Sequence, residues 1–319
     1  MKLAKSWLKT KQGIVLMTDH NLQHKHGHNH IHGHHHSVSG RIGTAFFLNF
    51  FFTIIEFIGG WLTNSTAIMA DAVHDLGDTL SIGLGWVLGK MSSKDADKHF
   101  SYGYRRLSLL GALINSVVLV TGSVWVLSEA VPRLVNPEMP HAEGMFGLAI
   151  LGVVVNGYAA YKLSDGKTLN ERVLNWHLIE DVLGWVAVLI VSVVLMFVDW
   201  PILDPLLSIA FTLFILFNVM RTLKETLKLF LQATPDQELR EQIHQQLLSV
   251  EQVADVHHLH LWSLDGEHHV LTVHLVLNQC IDNEVQQKIK SDLAEGLKTF
   301  QLAHTTIEFE QPEERCRDA

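Results

Sequence analysis

Apolar residues cluster between Arg41 and Leu231 in blocks of about twenty, the length a helix needs to cross a hydrocarbon core. Six spans are predicted: Ile42–Leu62, Thr66–Leu88, Leu107–Leu127, Gly144–Leu163, Leu174–Val198 and Ile202–Leu223. The sixth continues as helix toward Leu231 until Pro235 stops it. Beyond that proline the periodicity shortens. Pro235-Asp236 reads as a helix start, followed by helical spacing over Gln237–Leu248. Val256–Leu264 and His269–Leu277 read as strands joined by the Asp265-Gly266 turn. Asn283–Phe300 reads as a helix and Thr305–Glu310 as a last strand. The expected fold is an α-helical membrane protein: a six-transmembrane-helix bundle followed by a small α+β domain of order αββαβ. The domain division is residues 1–40, a polar tail; 41–231, the membrane domain; and 232–319, the α+β domain, expected to serve regulation and dimerisation.

Charge sharpens this division. The formal net charge is -9, but residues 235–319 alone carry 16 acidic and 6 basic side chains, so the membrane part is nearly neutral. No basic patch suggests nucleic-acid binding. Lys and Arg are one-sided about the spans. The N-terminal segment holds Lys2, Lys5, Lys9, Lys11, Lys25 and Arg41. The second-to-third loop holds Lys90, Lys94, Lys98, Arg105 and Arg106, and the fourth-to-fifth loop Lys162, Lys167 and Arg172. The opposite connections hold only Arg133. Both termini are therefore expected in the cytoplasm. Ile14–Met17 is too short for the apolar region of a signal peptide. Cys280 and Cys316 have no paired spacing, which argues against a disulfide framework or a zinc ribbon.

Ionisable residues at membrane depth are costly and usually functional. The second span contains Asp71, His74, Asp75 and Asp78, and the fifth His177, Glu180 and Asp181. His74 and Asp78, like His177 and Asp181, are four residues apart, so each pair shares one helical face. One such pair could be a helix–helix hydrogen bond. Two pairs in different spans point instead to a tetrahedral set of two nitrogens and two oxygens, suited to Zn2+. Asp71, Asp75 and Glu180 are read as supports for the ligands. Glu56 is a further buried charge, and Asn49, Asn115 and Asn156 suit contacts between helices.

Residues 20–36 contain nine histidines among Gly, Asn and Lys. Such a segment cannot bury a core and is expected to be disordered. The alternating pattern inside the chain argues against an engineered tag and for a dispensable metal-gathering tail. The α+β domain is also histidine-rich, with His257, His258, His260, His268, His269, His274 and His304, which makes a regulatory metal site plausible there.

Four motifs together carry a resemblance: Met-Ala-Asp-Ala-Val-His-Asp-Leu-Gly-Asp at 69–78, Tyr-Gly-Tyr-Arg-Arg at 102–106, Trp-His-Leu-Ile-Glu-Asp at 176–181 and His-His-Leu-His-Leu-Trp-Ser-Leu-Asp-Gly at 257–266. From Arg41 to about Glu310 the chain resembles the cation diffusion facilitators, in particular the bacterial zinc/cobalt/cadmium efflux branch and the related eukaryotic zinc transporters. That resemblance implies a metallochaperone-like cytoplasmic domain, a homodimer, and export of Zn2+ from the cytoplasm in exchange for protons, with His74 favouring Zn2+ over Cd2+ and leaving Cd2+ and Co2+ open as substrates. It implies transport ligands at His74, Asp78, His177 and Asp181. In the cytoplasmic domain it implies metal ligands at His257, His274 and Glu310. Gln286 stands where some members have a histidine, so a full binuclear site is not expected. Tyr104 likewise replaces a loop histidine, with Asp97 and His99 nearby. The expected setting is the bilayer of a bacterial inner membrane.

No organic cofactor and no catalytic residues are expected. An intramembrane metalloprotease would carry His-Glu-x-x-His, which is absent, and four protein ligands leave no position for water. A metal-gated channel, or a membrane metal sensor without transport, would also suit ligands buried among spans.

Overall fold

The computed structural model describes residues 35–163 and 169–318, with the side chains of 46–161 and 176–318. The histidine-rich segment, apart from the backbone of its last two residues, lies outside them. Seven helices come first: α1 (His35–Thr63), α2 (Thr66–Ser92), α3 (Leu107–Ala130), the short α4 (Pro132–Val135), α5 (Ala142–Leu163), α6 (Leu169–Phe197) and α7 (Leu203–Phe230). Then follow α8 (Gln237–Leu248), β1 (Val253–Ser263), β2 (His269–Leu277), α9 (Asn283–Gly296), a 3-10 turn at Lys298–Phe300 and β3 (Leu302–Glu310).

The boundaries differ from the sequence reading in instructive places. α1 begins well before Ile42, continuing back through the polar residues that precede the span despite Gly40. α9 stops at Gly296, and the chain then turns through Gln301 at a left-handed φ of 50°. β1 and β3 each start three residues earlier than the alternation suggested.

Five stretches among the described residues are long and apolar enough to cross a membrane: Phe46–Thr63, Leu107–Val135, Ala142–Tyr161, Trp176–Phe197 and Leu203–Phe230. They leave large apolar side chains outside, such as Trp61, Tyr161, Phe197 and Phe217. α2 is long enough but falls short in apolarity, since it carries Asp71, His74, Asp75 and Asp78. It compensates by burial: residues Thr66 to Thr79 include ten buried positions. Close approach makes this possible. A Cβ at Gly122 of α3 would sit 2.6 Å from Val73, and one at Gly77 would collide with Leu119. Asn49 of α1 donates to the Thr79 hydroxyl at 3.0 Å and to the Asp75 carbonyl at 3.2 Å, while Asn115 of α3 donates to Ser81 at 2.7 Å. α5 and α6 pack along each other with Gly152 against the buried Trp185 ring.

The start of α2 is fixed by Asp204 in the first turn of α7. Its carboxylate accepts from the Ser65 hydroxyl (2.5 Å), the Thr66 amide (2.7 Å) and hydroxyl (2.9 Å), and the Ala67 amide (3.3 Å). Ser208 of α7 donates to the Thr66 carbonyl at 2.9 Å. Ser65 itself accepts from the Ile68 amide at 3.2 Å, a normal N-cap. An anion at the positive end of a helix, sealed from water at 1% exposure, makes charge-assisted bonds to amides that would otherwise be orphaned.

This set of helices up to Leu223, without the Leu88–Leu110 segment, is one compact unit. The second unit joins Leu88–Leu110 to Lys224–Ala319. Its sheet has the order β1-β2-β3, with β1 antiparallel and β3 parallel to β2. α8, capped by Asp236, and α9, capped by Asp282, bury Ile243, Leu247, Ile289 and Leu293 against Leu271, Val273 and Leu275. The loop from α2 reaches this sheet: Arg105 lies 3.8 Å from Asp265, and Tyr102 stacks edge-on to Trp262.

Asp204→Ala removes a buried anion and strands several amides and hydroxyls. It is expected to destabilise the membrane unit by roughly 2–4 kcal/mol, read as a lowered thermal midpoint of the solubilised protein. An unchanged midpoint would contradict the clamp.

Candidate metal centre

His74 and Asp78 lie on α2, and His177 and Asp181 on α6. The helical repeat aims both members of each pair the same way. The two helices then bring the pairs face to face. His177 Nε2 is 3.0 Å from Asp78 Oδ2, shorter than either contact within a helix: His74–Asp78 at 3.7 Å and His177–Asp181 at 3.8 Å. His74 Nε2 is also 3.8 Å from Asp181 Oδ1, which closes the ring of contacts. The imidazoles stand nearly perpendicular, 83° apart, with centroids 5.7 Å from each other. The ligand atoms of His74, Asp78 and His177 lie within 4.8 Å of one another, and Asp181 completes the set from the side of α6.

Two oxygens of this set, Asp78 Oδ2 and Asp181 Oδ1, are buried and accept no hydrogen bond of good geometry, although His177 Nε2 lies 3.0 Å from the first. Such acceptors are costly in a low dielectric unless a cation compensates them. Two carboxylates and two neutral imidazoles carry a charge of −2, so one divalent ion makes the cluster neutral.

Three more carboxyl groups stand close by. Asp71 and Asp75 are at 7% and 5% exposure, and Glu56 of α1, at 1%, has no donor to either oxygen. Gly184 of α6 lies beside Asp71, where a Cβ would be in ordinary contact with Oδ1 at 3.6 Å. Glu180 precedes Asp181 on α6 and is half-buried.

A second cluster sits on the sheet. Glu310, at the end of β3, takes His274 Nδ1 at 2.7 Å and His257 Nε2 at 3.0 Å. Burial alone would raise the Glu310 carboxyl, but the close polar groups of His257, Cys316 and His274 hold it below the ordinary glutamate value. β1 carries a bulge between His257 and His260, with His258 at a left-handed φ of 47°. The bulge breaks the two-residue alternation, so the rings of His257 and His258 both lie beside His274, at 5.6 and 5.1 Å. The fourth ligand-type atom here is Cys316 Sγ, within 4.8 Å of the other three. Nothing in the sequence marks Cys316 as a ligand, because it lies past the last strand at no recognisable spacing. In the loop, both Asp97 oxygens are engaged: one accepts from the His99 and Phe100 amides, the other from the Tyr104 hydroxyl at 2.6 Å. The Tyr104 hydrogen bond, aided by those amides, holds the exposed Asp97 carboxyl below its ordinary value.

Residues 43–231 match the description of a cation efflux transmembrane domain, and residues 235–312 that of the cytoplasmic domain of a cation efflux protein. The chain belongs to the cation efflux, or cation diffusion facilitator, family. It is therefore an integral membrane protein of a metal-efflux family. A cadmium, cobalt and zinc/H(+)-K(+) antiporter of Bacillus subtilis is 30% identical over 81% of this chain and 85% of its own length. The metal cation efflux system protein CzcD of Cupriavidus metallidurans is 31% identical over 81% of this chain and 82% of its own. The zinc transporter ZitB of Pectobacterium atrosepticum is 30% identical over 88% and 87%. Both the bundle and the sheet thus fall inside the cation efflux homology, whereas Cys316 lies just beyond the matched residues.

Proposed function

We propose that this cation efflux protein exports Zn2+ from the cytoplasm through the cluster of His74, Asp78, His177 and Asp181, in exchange for protons. The convergence of the two His-x-x-x-Asp pairs across α2 and α6, with two orphaned carboxylate oxygens, carries the reading. Imidazole nitrogen and carboxylate oxygen in equal number suit tetrahedral Zn2+, and Co2+ and Cd2+ fit the same donors less selectively. The names of the relatives support both metal range and antiport.

In this proposal all six long helices of the first unit cross the bilayer, α2 among them because its polar face is turned inward. Lys and Arg on the α2–α3 connection and the N-terminal segment put both termini in the cytoplasm, and the relatives suggest a bacterial inner membrane. Residues 1–40 form a metal-gathering tail, 41–231 the transport domain, and 232–319 a regulatory domain that joins two copies in a homodimer. His257, His274 and Glu310 hold metal there. The bundle alternates access to the midplane cluster. On the cytoplasmic side the imidazoles bind metal neutral and the carboxylates ionised. On the outer side protons compete with the metal for the same nitrogens and oxygens. Asp71, Asp75 and Glu180 orient the ligands, and no organic cofactor takes part.

In proteoliposomes, His177→Ala and Asp181→Ala are expected to lower Zn2+ flux by roughly a hundredfold or more while the protein stays folded. Wild-type rates in either variant would sink the assignment. With the wild type, uptake should collapse when the pH gradient is dissipated. Flux indifferent to the gradient would indicate a channel, and binding without flux a sensor. Deleting residues 20–36 should lower transport severalfold at most; total loss in a normally expressed protein would overturn the accessory role of the tail.

A further inference from the structure

We propose that Cys316 is a metal ligand, and that with His257, His274 and Glu310 it forms a closed cytoplasmic site for Zn2+ or a similarly thiophilic divalent cation. The four ligand atoms lie within 4.8 Å of one another, the spread of a single coordination sphere before an ion draws it in. Cys316 Sγ is 3.4 Å from His274 Nδ1, the same nitrogen that meets Glu310. His257 Nε2 is buried with no hydrogen bond of good geometry, although Glu310 is 3.0 Å away. That atom lacks a satisfying partner in the protein alone and gains one from a metal.

The chain after β3 is built to deliver the thiol. Gln311 and Glu314 form a turn, the Gln311 amide donating to the Glu314 carboxylate at 2.9 Å and the Glu314 amide to the Gln311 carbonyl at 3.0 Å. The chain then returns over the sheet, and Arg317 ties it to Glu308 of β3 at 2.8 Å. The far nitrogen of His274 faces Glu308 at 3.7 Å and Asp318 at 3.6 Å, the carboxylate backing that commonly orients a ligating imidazole. Glu308 therefore does two things at once: it backs His274 and, through Arg317, holds the strap that bears Cys316, while Asp318 backs His274 from the strap itself.

Thiolate, carboxylate and two imidazoles again sum to −2, so a divalent ion is neutralised. The sulfur changes the chemistry relative to the membrane cluster. A thiolate favours Zn2+ and Cd2+ over Mg2+, Ca2+ and Mn2+, and a site with four protein ligands has no open position. Such a site retains its ion, and occupancy fastens residues 311–318 to the sheet.

The full-length solubilised protein loaded with Co2+ alone tests this, because the membrane cluster contains no sulfur. A near-ultraviolet thiolate-to-Co2+ charge-transfer band is expected in the wild type and in Cys280→Ser, and should vanish in Cys316→Ser. Zn2+ should slow alkylation of Cys316 roughly tenfold or more and leave Cys280 unaffected, a protection lost in His257→Ala. Absence of the band in the wild type, its survival in Cys316→Ser, or equal alkylation with and without Zn2+ would overturn the proposal. Neither measurement reads flux through the membrane cluster, so a failure here leaves the transport reading standing.

Discussion

Charge cannot be left facing lipid, and the membrane unit is arranged around that constraint. α2 brings three aspartates and a histidine into a segment that would otherwise be an ordinary span. Only a position enclosed by other helices makes such a sequence tolerable. Gly77 and Gly122 let α3 come close, and Asn49 and Asn115 meet its polar groups with side-chain amides. The carboxylates are thereby packed into a small volume, where their mutual repulsion calls for a cation. The proposed cargo is the simplest species that relieves it.

Much of this was legible in the sequence because helical geometry is regular. Blocks of about twenty apolar residues marked the spans, and the four-residue spacing of His74 with Asp78 and of His177 with Asp181 marked one face on each of two helices. Periodicity is silent about which faces meet. It could not say that His177 approaches Asp78 of the other helix more closely than its own neighbour Asp181. The Asp204 clamp was equally hidden, since its partners are more than a hundred residues away. In the sheet, alternation located β1 and β2. It missed the bulge at His258, whose backbone breaks the very period used to find the strand.

The two clusters gather the same net charge with different materials. The membrane cluster uses only nitrogen and oxygen, and as a proposed metal site it would release a borderline ion more readily than a thiolate would. The cytoplasmic cluster is set on a three-stranded sheet whose central strand carries His274. Its neighbours approach from opposite edges, His257 from β1 and Glu310 from β3, so the cluster depends on the pairing of all three strands.

The tether between Asp204 and the start of α2 has a mechanical corollary. His74 and Asp78 stand 8 and 12 residues beyond Thr66, or about 12 and 18 Å along the axis. With one end of α2 pinned to α7, the helix is a lever whose fulcrum is known. A tilt of about 10° about that point carries the two side chains by roughly 2–3 Å, comparable to a metal–ligand bond. A swing too small to disturb the packing at the fulcrum would therefore be large enough to break the coordination of the proposed cargo at the other end of the arm.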